Sequence, residues 1–519
     1  MDKAMIDVLF GQSYYLRFDP KLRRLMQPYP PLGTLIAAAC LRRRGYEIGL
    51  FDAMLAESEA EWDATLENQQ PRVAVLYEDN FNYLSKMCLL RMRQAAFAMV
   101  EAARRRRCKV WVCGADASDH PEEYLAHGAD IVLIGEGEET LGALMDHLDG
   151  RSGEVLEQIT GLAFKKSGTG EVVRTPPRPV IRDLDSLPEP AWDLVDVRRY
   201  RDLWQRHHGY YSMNMVTTRG CPYHCNWCAK PIWGQTYHVR EPAKVAAELA
   251  RLKDVYRPDH IWFADDIIGL RGGWMARFAD ELEARDARVR FKCQSRVDLL
   301  LRAGEIDAFK RAGADTVWVG AESGSQKILD AMEKGTRVEQ IYEATERLHD
   351  AGVRVGFFLQ FGYPGEDEED IDKTRRMVRE CRPDEIGMSV SYPLPGTKFY
   401  RMVEQDLGDK QNWIDSEDLD MMFVGTYTTE FYRQLYRVLH KEFRARSAAR
   451  LLLGALRRPA RLNRGALRLA GAALYHGSTL PLARFRMQRL MRLADRRVES
   501  LSTAMTPQEA AVPTPESSE

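Results

Sequence analysis

Residues 217–234 read TTRGCPYHCNWCAKPIWG and place Cys221, Cys225 and Cys228 at the spacing C-x3-C-x2-C. The segment follows directly on a β-rich run, Met213–Thr217, so the thiols sit in a loop at the carboxyl end of a strand. Thiolates are the usual ligands of iron–sulfur clusters, and three of them on a four-iron cluster leave one iron open. The competing reading is a structural zinc site, which takes four ligands and commonly pairs one C-x2-C with another. No second pair occurs here, and only His224 and His238 stand nearby as a fourth ligand.

Working outward, β-rich runs recur at His260–Ala264, Val289–Gln294, Thr316–Gly320, Val355–Phe361 and Glu385–Ser391, separated by helical patterns that open near Pro242, Gly304, Ser325 and Asp367. Six βα repeats over residues 211–396 predict a partial (βα)6 barrel with its chemistry at the carboxyl ends of the strands. Upstream, Met5–Phe10, Glu47–Phe51, Val73–Tyr77, Lys109–Cys113 and Asp130–Ile134 alternate with helices. This α/β pattern predicts a flavodoxin-like, Rossmann-type doubly wound domain over residues 1–150. Residues 151–210 read as a linker with a hairpin (GLAFKKSGTGEVVR) and a Pro-rich stretch. Residues 397–500 read as helical and 501–519 as a disordered tail.

Composition narrows the function classes. The chain has 74 basic and 76 acidic residues, a net charge of −2 that predicts no general attraction to nucleic acid. Nine cysteines spread over 519 residues do not make a secreted disulfide scaffold. The first residues lack a signal-peptide core and no 18-residue apolar run occurs, so a cytoplasmic, reducing compartment is expected. Charge is uneven, however: residues 447–500 carry twelve arginines against Asp495 and Glu499. That stretch is either a solvated helical face or a surface for peripheral contact with an anionic membrane.

The cysteine segment resembles the signature of the radical S-adenosylmethionine (SAM) superfamily, C-x3-C-x-(aromatic)-C, with Trp227 at the aromatic position. Further segments match in order: FADD (Phe263–Asp266), CQSRVD (Cys293–Asp298), VGAESGS (Val319–Ser325) and GFFLQFGYPGE (Gly356–Glu366). The resemblance implies that Cys221, Cys225 and Cys228 are the catalytic, metal-ligating residues of a 4Fe–4S cluster. It implies SAM contacts at Asp265, Asp266, Ser295, Arg296, Glu322 and Gly362. Simpler roles stand beside these: Asp265 and Asp266 as caps of the next helix, Glu322 as a solvated loop acid, and Cys293 as a core thiol. His207 and His208 read as surface residues.

The segment VWVCGADASDHPEEYLAHGADIVLIGEGEETL resembles the cobalamin-binding domain that precedes the barrel in one radical SAM class. That class includes cobalamin-dependent methyltransferases and the anaerobic magnesium-protoporphyrin IX monomethyl ester cyclase. The resemblance implies cofactor-binding roles for Gly114, Gly135 and Gly137, where a corrin's tail needs close backbone approach. The D-x-H-x-x-G motif of an axial histidine is absent, and the loop Glu78–Tyr83 is expected to face the corrin instead. The implied reaction is methylation of an unactivated carbon of a small-molecule or lipid-like substrate. An external donor such as flavodoxin or ferredoxin would supply the electron. Oxidative cyclisation of a tetrapyrrole or lipid-like substrate is the alternative, and a non-catalytic iron–sulfur electron-transfer or sensor protein stands as a reading of another class.

Overall fold

Val73–Tyr77, VAVLY, is an uncharged, β-branched run buried on both faces, and it forms the middle of a parallel sheet. The computed structural model describes residues 6–82, 87, 89–228, 230, 232–407, 412–416, 419–456 and 464–504. In the first sheet, β1 (Val8–Gly11), β2 (Ile48–Leu50), β3 (Val73–Tyr77), β4 (Lys109–Cys113) and β5 (Ile131–Leu133) pair in the order β2-β1-β3-β4-β5, all parallel. This is the doubly wound order expected from the sequence. Its faces are covered by α1 (Leu32–Arg43), α2 (Ala60–Gln69), α3 (Leu90–Arg105) and α4 (Glu138–Leu148).

The segment assigned as a linker departs from expectation. Its hairpin, β6 (Leu162–Lys165) and β7 (Val172–Arg174), adds two antiparallel strands to the edge of the first sheet. β6 buries Leu162, Ala163 and Phe164, so that sheet continues well past residue 150. His207 is exposed, as expected, whereas His208 differs from expectation. They close α5 (Val197–His208), where the half-buried His208 lies 2.8 Å from the Met26 carbonyl.

The second sheet runs β8 (Ser212–Met215), then, past a two-stranded antiparallel ribbon of β9 (Thr218–Arg219) and β10 (His238–Val239), β11 (His260–Phe263), β12 (Arg290–Ser295), β13 (Ala314–Glu322), β14 (Arg354–Phe361) and β15 (Glu385–Val390). The six main strands are parallel and pair in sequence order, with β8 and β15 left as open edges. Helices α6 (Pro242–Tyr256), α7 (Trp274–Ala284), α8 (Glu305–Ala312), α9 (Val338–Asp350) and α10 (Glu368–Cys381) accompany them. Period-two alternation separates the faces. Phe263, Phe291 and Cys293 are buried on the helix side, where Phe263 meets Phe278 of α7 edge-on at 5.9 Å. Trp262, Lys292 and Trp318 point to the concave side and are only half-buried.

That concave side is plugged at the β8–β11 edge by the Pro-rich turn before α1. Tyr29 packs against Trp204 (5.2 Å) and Trp262 (4.8 Å), and its hydroxyl lies 3.0 Å from Ser212 Oγ. Asn214 Nδ2 donates to the Pro30 carbonyl and Trp204 Nε1 to that of Pro28. Beyond the barrel, α11 (Thr429–Leu456) and α12 (Arg464–Ala504) form an antiparallel pair. α12 runs through Ala504, so residues 501–504 are helical where a disordered tail is expected, and the rest of that tail lies outside the described residues.

Replacing Tyr29 by Ala is expected to cost about 3–5 kcal/mol, as for a buried aromatic. Tyr29→Phe should cost about 1 kcal/mol, the worth of its hydrogen bond. Urea unfolding of the two variants checks this, and equal losses would contradict the plug.

Candidate active site

The three cysteines leave the barrel at the carboxyl end of β8, and the loop that carries them is tied down at many points. Asp265, at the end of the neighbouring β11, accepts hydrogen bonds through Oδ1 from the Thr217 and Thr218 amides and from the Thr218 hydroxyl. Its carboxyl is therefore spent first on the backbone entering the loop, which the sequence did not foretell. Burial, opposed by those donors, pushes it up to about 6. Its other oxygen, Oδ2, is buried with no partner among the described residues. Gly220 adopts φ +80°, and a Cβ there would run into the Thr236 carbonyl. Farther along, the Lys230 ammonium donates to the Tyr223 carbonyl.

Cys221, Cys225 and Cys228 are half-buried thiols, none of them in a disulfide. Burial raises the pKa of Cys221 and Cys228, the latter to about 12, with Lys230 opposing and Asp266 and the other thiols adding to it. Between them Asn226 fastens the loop to the barrel rim. Its amide donates to the Met332 carbonyl (3.0 Å), its Nδ2 to that of Ala331 (2.7 Å), and its Oδ1 accepts from Tyr363 (3.0 Å). Cys225 and Cys228 line a cavity of about 450 Å³ together with His224, Lys230, Lys398 and Asp119 of the first domain. His238 is not among these residues, and no three His, Cys, Asp or Glu side chains surround a single ion position among the described residues.

The remaining rim residues divide by how they use their polar groups. Ser295 donates to the Ile268 carbonyl (2.9 Å), a purely internal bond. Arg296 stacks over Tyr223 at 3.6 Å, pairs with Asp298 and donates to the Lys334 carbonyl, so it braces the loop from one side. Glu322 is buried and pairs with Lys334 at 2.7 Å, which excludes the solvated reading of that acid. Lys334 in turn faces the Trp227 ring at 5.9 Å. Gly362 donates its amide to Glu366 Oε2 (2.6 Å), leaving Oε1 of this buried acid without a partner among the described residues. Burial, against that one donor, pushes the Glu366 carboxyl up to about 8. Cys293 is a fully buried core thiol.

The sequence did not single out Arg219. It lies two residues before Cys221 and is 3% exposed, yet it pairs with Glu136 (2.9 Å) and Glu138 (2.7 Å) of the GEGE segment in the first domain. Phe81 stacks on Trp233 at 5.0 Å, and the guanidinium lies over both rings. The loop after β3 thus meets the cysteine loop directly, although Tyr83 lies outside the described residues. Gly114 and Gly137 leave room for protein atoms: a Cβ would strike Glu78 at the first, and Tyr77 and Cys113 at the second. Of the three glycines expected to admit a ligand, only Gly135 opens onto free space. The same strand-end rim carries buried Gln12 Nε2 and Asn80 Oδ1 without partners among the described residues, atoms a polar ligand would complete. Asp116, held by Arg93 and Tyr124, is fully engaged.

Comparison with known proteins agrees with both halves. The family model for the Radical SAM superfamily matches residues 215–378, and that for the B12 binding domain matches residues 22–145. An uncharacterised methyltransferase of Pyrococcus horikoshii is 28% identical over 60% of this chain and 67% of its own. The anaerobic magnesium-protoporphyrin IX monomethyl ester cyclase of Rubrivivax gelatinosus is 29% identical over 56% of this chain, which spans about half (51%) of that relative's length. The solved structure of the cobalamin-dependent SAM radical enzyme OxsB, with aqua-cobalamin and SAM bound, shares the fold over 98% of this chain and 82% of its own (TM-score 0.67, 16% identity).

Replacing Arg219 by Ala strands two buried carboxylates and is expected to cost about 3–5 kcal/mol in chemical unfolding. Glu366 makes a pH prediction. Its folded value near 8 exceeds the unfolded carboxyl value of about 4.3, so the folded state holds the extra proton between them. Stability from this group is full below about pH 4 and falls as pH rises towards 8. Glu366→Gln should therefore flatten the fall in melting temperature between pH 6 and 8.5, and an unchanged slope would contradict it.

Proposed function

Because the chain belongs to the radical SAM family that carries an N-terminal cobalamin-binding domain, we propose that it methylates an unactivated carbon of a small-molecule substrate. The observation that carries this reading is the set of three thiols on a loop pinned to the barrel rim, none in a disulfide, two of which, Cys225 and Cys228, line a cavity that the first domain helps to form. The chemistry supplied when the 4Fe–4S cluster, SAM and methylcobalamin are bound is one-electron cleavage of the sulfonium to a 5′-deoxyadenosyl radical, followed by methyl donation.

The chain's own residues account for the rest. When the cluster is bound, Cys221, Cys225 and Cys228 would be its thiolate ligands, one fewer than a fully ligated four-iron cluster takes. Asp266, whose charge is felt by Cys221 and Cys228, and Oδ2 of Asp265, without a partner among the described residues, would accept from the SAM amino group. Arg296 and the Glu322–Lys334 pair fix the loop and the rim against it. Gly362 holds the buried Glu366 through its amide and packs against Met421 and Tyr432, so its lack of a side chain serves packing within the chain. In the first domain, Gly135, Gln12 and Asn80 offer the corrin an open, hydrogen-bonding edge. Phe81 and Trp233, both buried, close the seam between the first domain and the cysteine loop to water. A flavodoxin or ferredoxin would deliver the electron.

Oxidative cyclisation is the second reading, favoured by the 29% identity to the cyclase. Anaerobic reconstitution with SAM, methylcobalamin and a strong reductant separates the two. Methyl transfer yields both 5′-deoxyadenosine and S-adenosylhomocysteine, whereas cyclisation yields no homocysteine product. Cys225→Ala should lose bound iron and SAM cleavage together, and persistence of cleavage would sink the assignment. Asp266→Asn should raise KM for SAM with a smaller effect on kcat.

A further inference from the structure

A second concentration of charge lies away from the cysteine loop. Between α10 and α11 is a cavity of about 320 Å³ lined by Arg375, Arg379, Arg382, Arg446 and Arg450. Its floor is apolar, formed in part by the buried Val378 and Leu439. The one carboxylate in the lining, Glu442, is already shared by Arg375 (2.7 Å) and Arg484 of α12 (2.8 Å). Arg379, Arg382, Arg446 and Arg450 have no ion pair among the described residues. Burial and the guanidinium groups of Arg379, Arg484 and Arg375 pull the Arg446 pKa down, against Glu442. Like charges gathered around a concave, part-apolar surface are relieved by an anion.

The adjoining helix supplies an independent observation. On α12, Leu474, Tyr475, Leu482, Phe485 and Leu493 are 53–74% exposed. At 3.6 residues per turn they fall within an arc of about 100°. Ala483, Met487 and Met491, on the opposite side, are buried against the rest of the protein. Arg486, Arg489 and Arg492 are exposed on the same helix, and no acid occurs between residues 464 and 494. No described helix is long and apolar enough to cross a membrane. Arg489 and Arg492 fall within the same arc and Arg486 at its edge, so the exposed face mixes apolar groups with arginines, as on a helix in an anionic bilayer interface whose long basic side chains snorkel to the headgroups. A nucleic acid would satisfy the arginines and leave the leucines in water.

We propose that the arginine-lined cavity takes the phosphate headgroup of an anionic phospholipid, while the apolar stripe of α12 lies in the interfacial layer of the same bilayer. The cavity reads charge and the stripe supplies apolar burial, so each needs the other for lasting contact.

Co-sedimentation of the full chain with vesicles tests this. Binding is expected to phosphatidylcholine vesicles containing phosphatidylglycerol and not to phosphatidylcholine alone, and it should weaken as salt rises. The double variant Arg446→Ala, Arg450→Ala should bind about tenfold more weakly or worse, with an unchanged circular dichroism spectrum. Leu482→Ser with Phe485→Ser should also weaken binding, but without altering its salt dependence. Should either variant fail to fold, the parent's dependence on phosphatidylglycerol content decides alone. The proposal is overturned if the parent ignores phosphatidylglycerol, or if a folded variant binds as the parent does. Stabilisation by inorganic phosphate without vesicle binding, or preference for single-stranded RNA over vesicles, overturns it equally.

Discussion

The geometry of the site rests on one buried guanidinium. Arg219 sits between Glu136 and Glu138, all three at most 5% exposed, at the point where the strand-end loop of the first domain meets the strand that launches the cysteines. A buried pair of this kind adds little net stability, because desolvation offsets most of the attraction. Its effect is on register. Any shift of the cysteine loop along the first domain leaves charge unpaired in a low-dielectric interior, and the penalty rises at once. The aromatic pair Phe81–Trp233 under the guanidinium keeps water out and so keeps that penalty high.

A second rule governs the barrel rim: most polar side chains at the strand ends are spent on neighbouring backbone. Asp265 holds the amides entering the loop, Ser295 a carbonyl after β11, Asn226 two carbonyls at the end of the short helix Gln326–Ala331 that follows β13. Such groups cannot also bind a ligand with the same atoms. The atoms left over are informative for that reason. Oδ2 of Asp265, Nε2 of Gln12 and Oδ1 of Asn80 are buried and unpaired among the described residues. Native proteins keep few such atoms without a purpose.

Much of the fold was legible because its signal is local. Strand runs such as VAVLY and KVWVC recur at βαβ spacing, and their observed bounds match the expected ones residue for residue. The cysteine spacing likewise lies within eight residues. What escaped was non-local. Arg219 and its carboxylates are 83 and 81 residues apart in the chain, and nothing in the sequence marks them as partners. The hairpin Leu162–Arg174 was visible, but its edge partner β5 was not. The glycines show a subtler limit. A required glycine is detectable, yet whether a ligand or a neighbouring Glu78 or Tyr77 requires it depends on packing across the sheet.

These points combine in how the first domain serves the second. It touches the barrel at both ends. Tyr29 and the prolines around it fill the concave side near β8 and β11, against Trp262 and within 5.5 Å of Lys292. At the other end Glu136 and Glu138 grip the residue before the cysteine loop. Two contacts so far apart on a stiff sheet fix both position and angle, which a single contact would not. The strand-end edge that carries Gly135 and Asn80 is therefore held at a set distance from the three thiols. The proposed methyl transfer would need that, because reacting groups brought by two domains must be held in a fixed relation to one another.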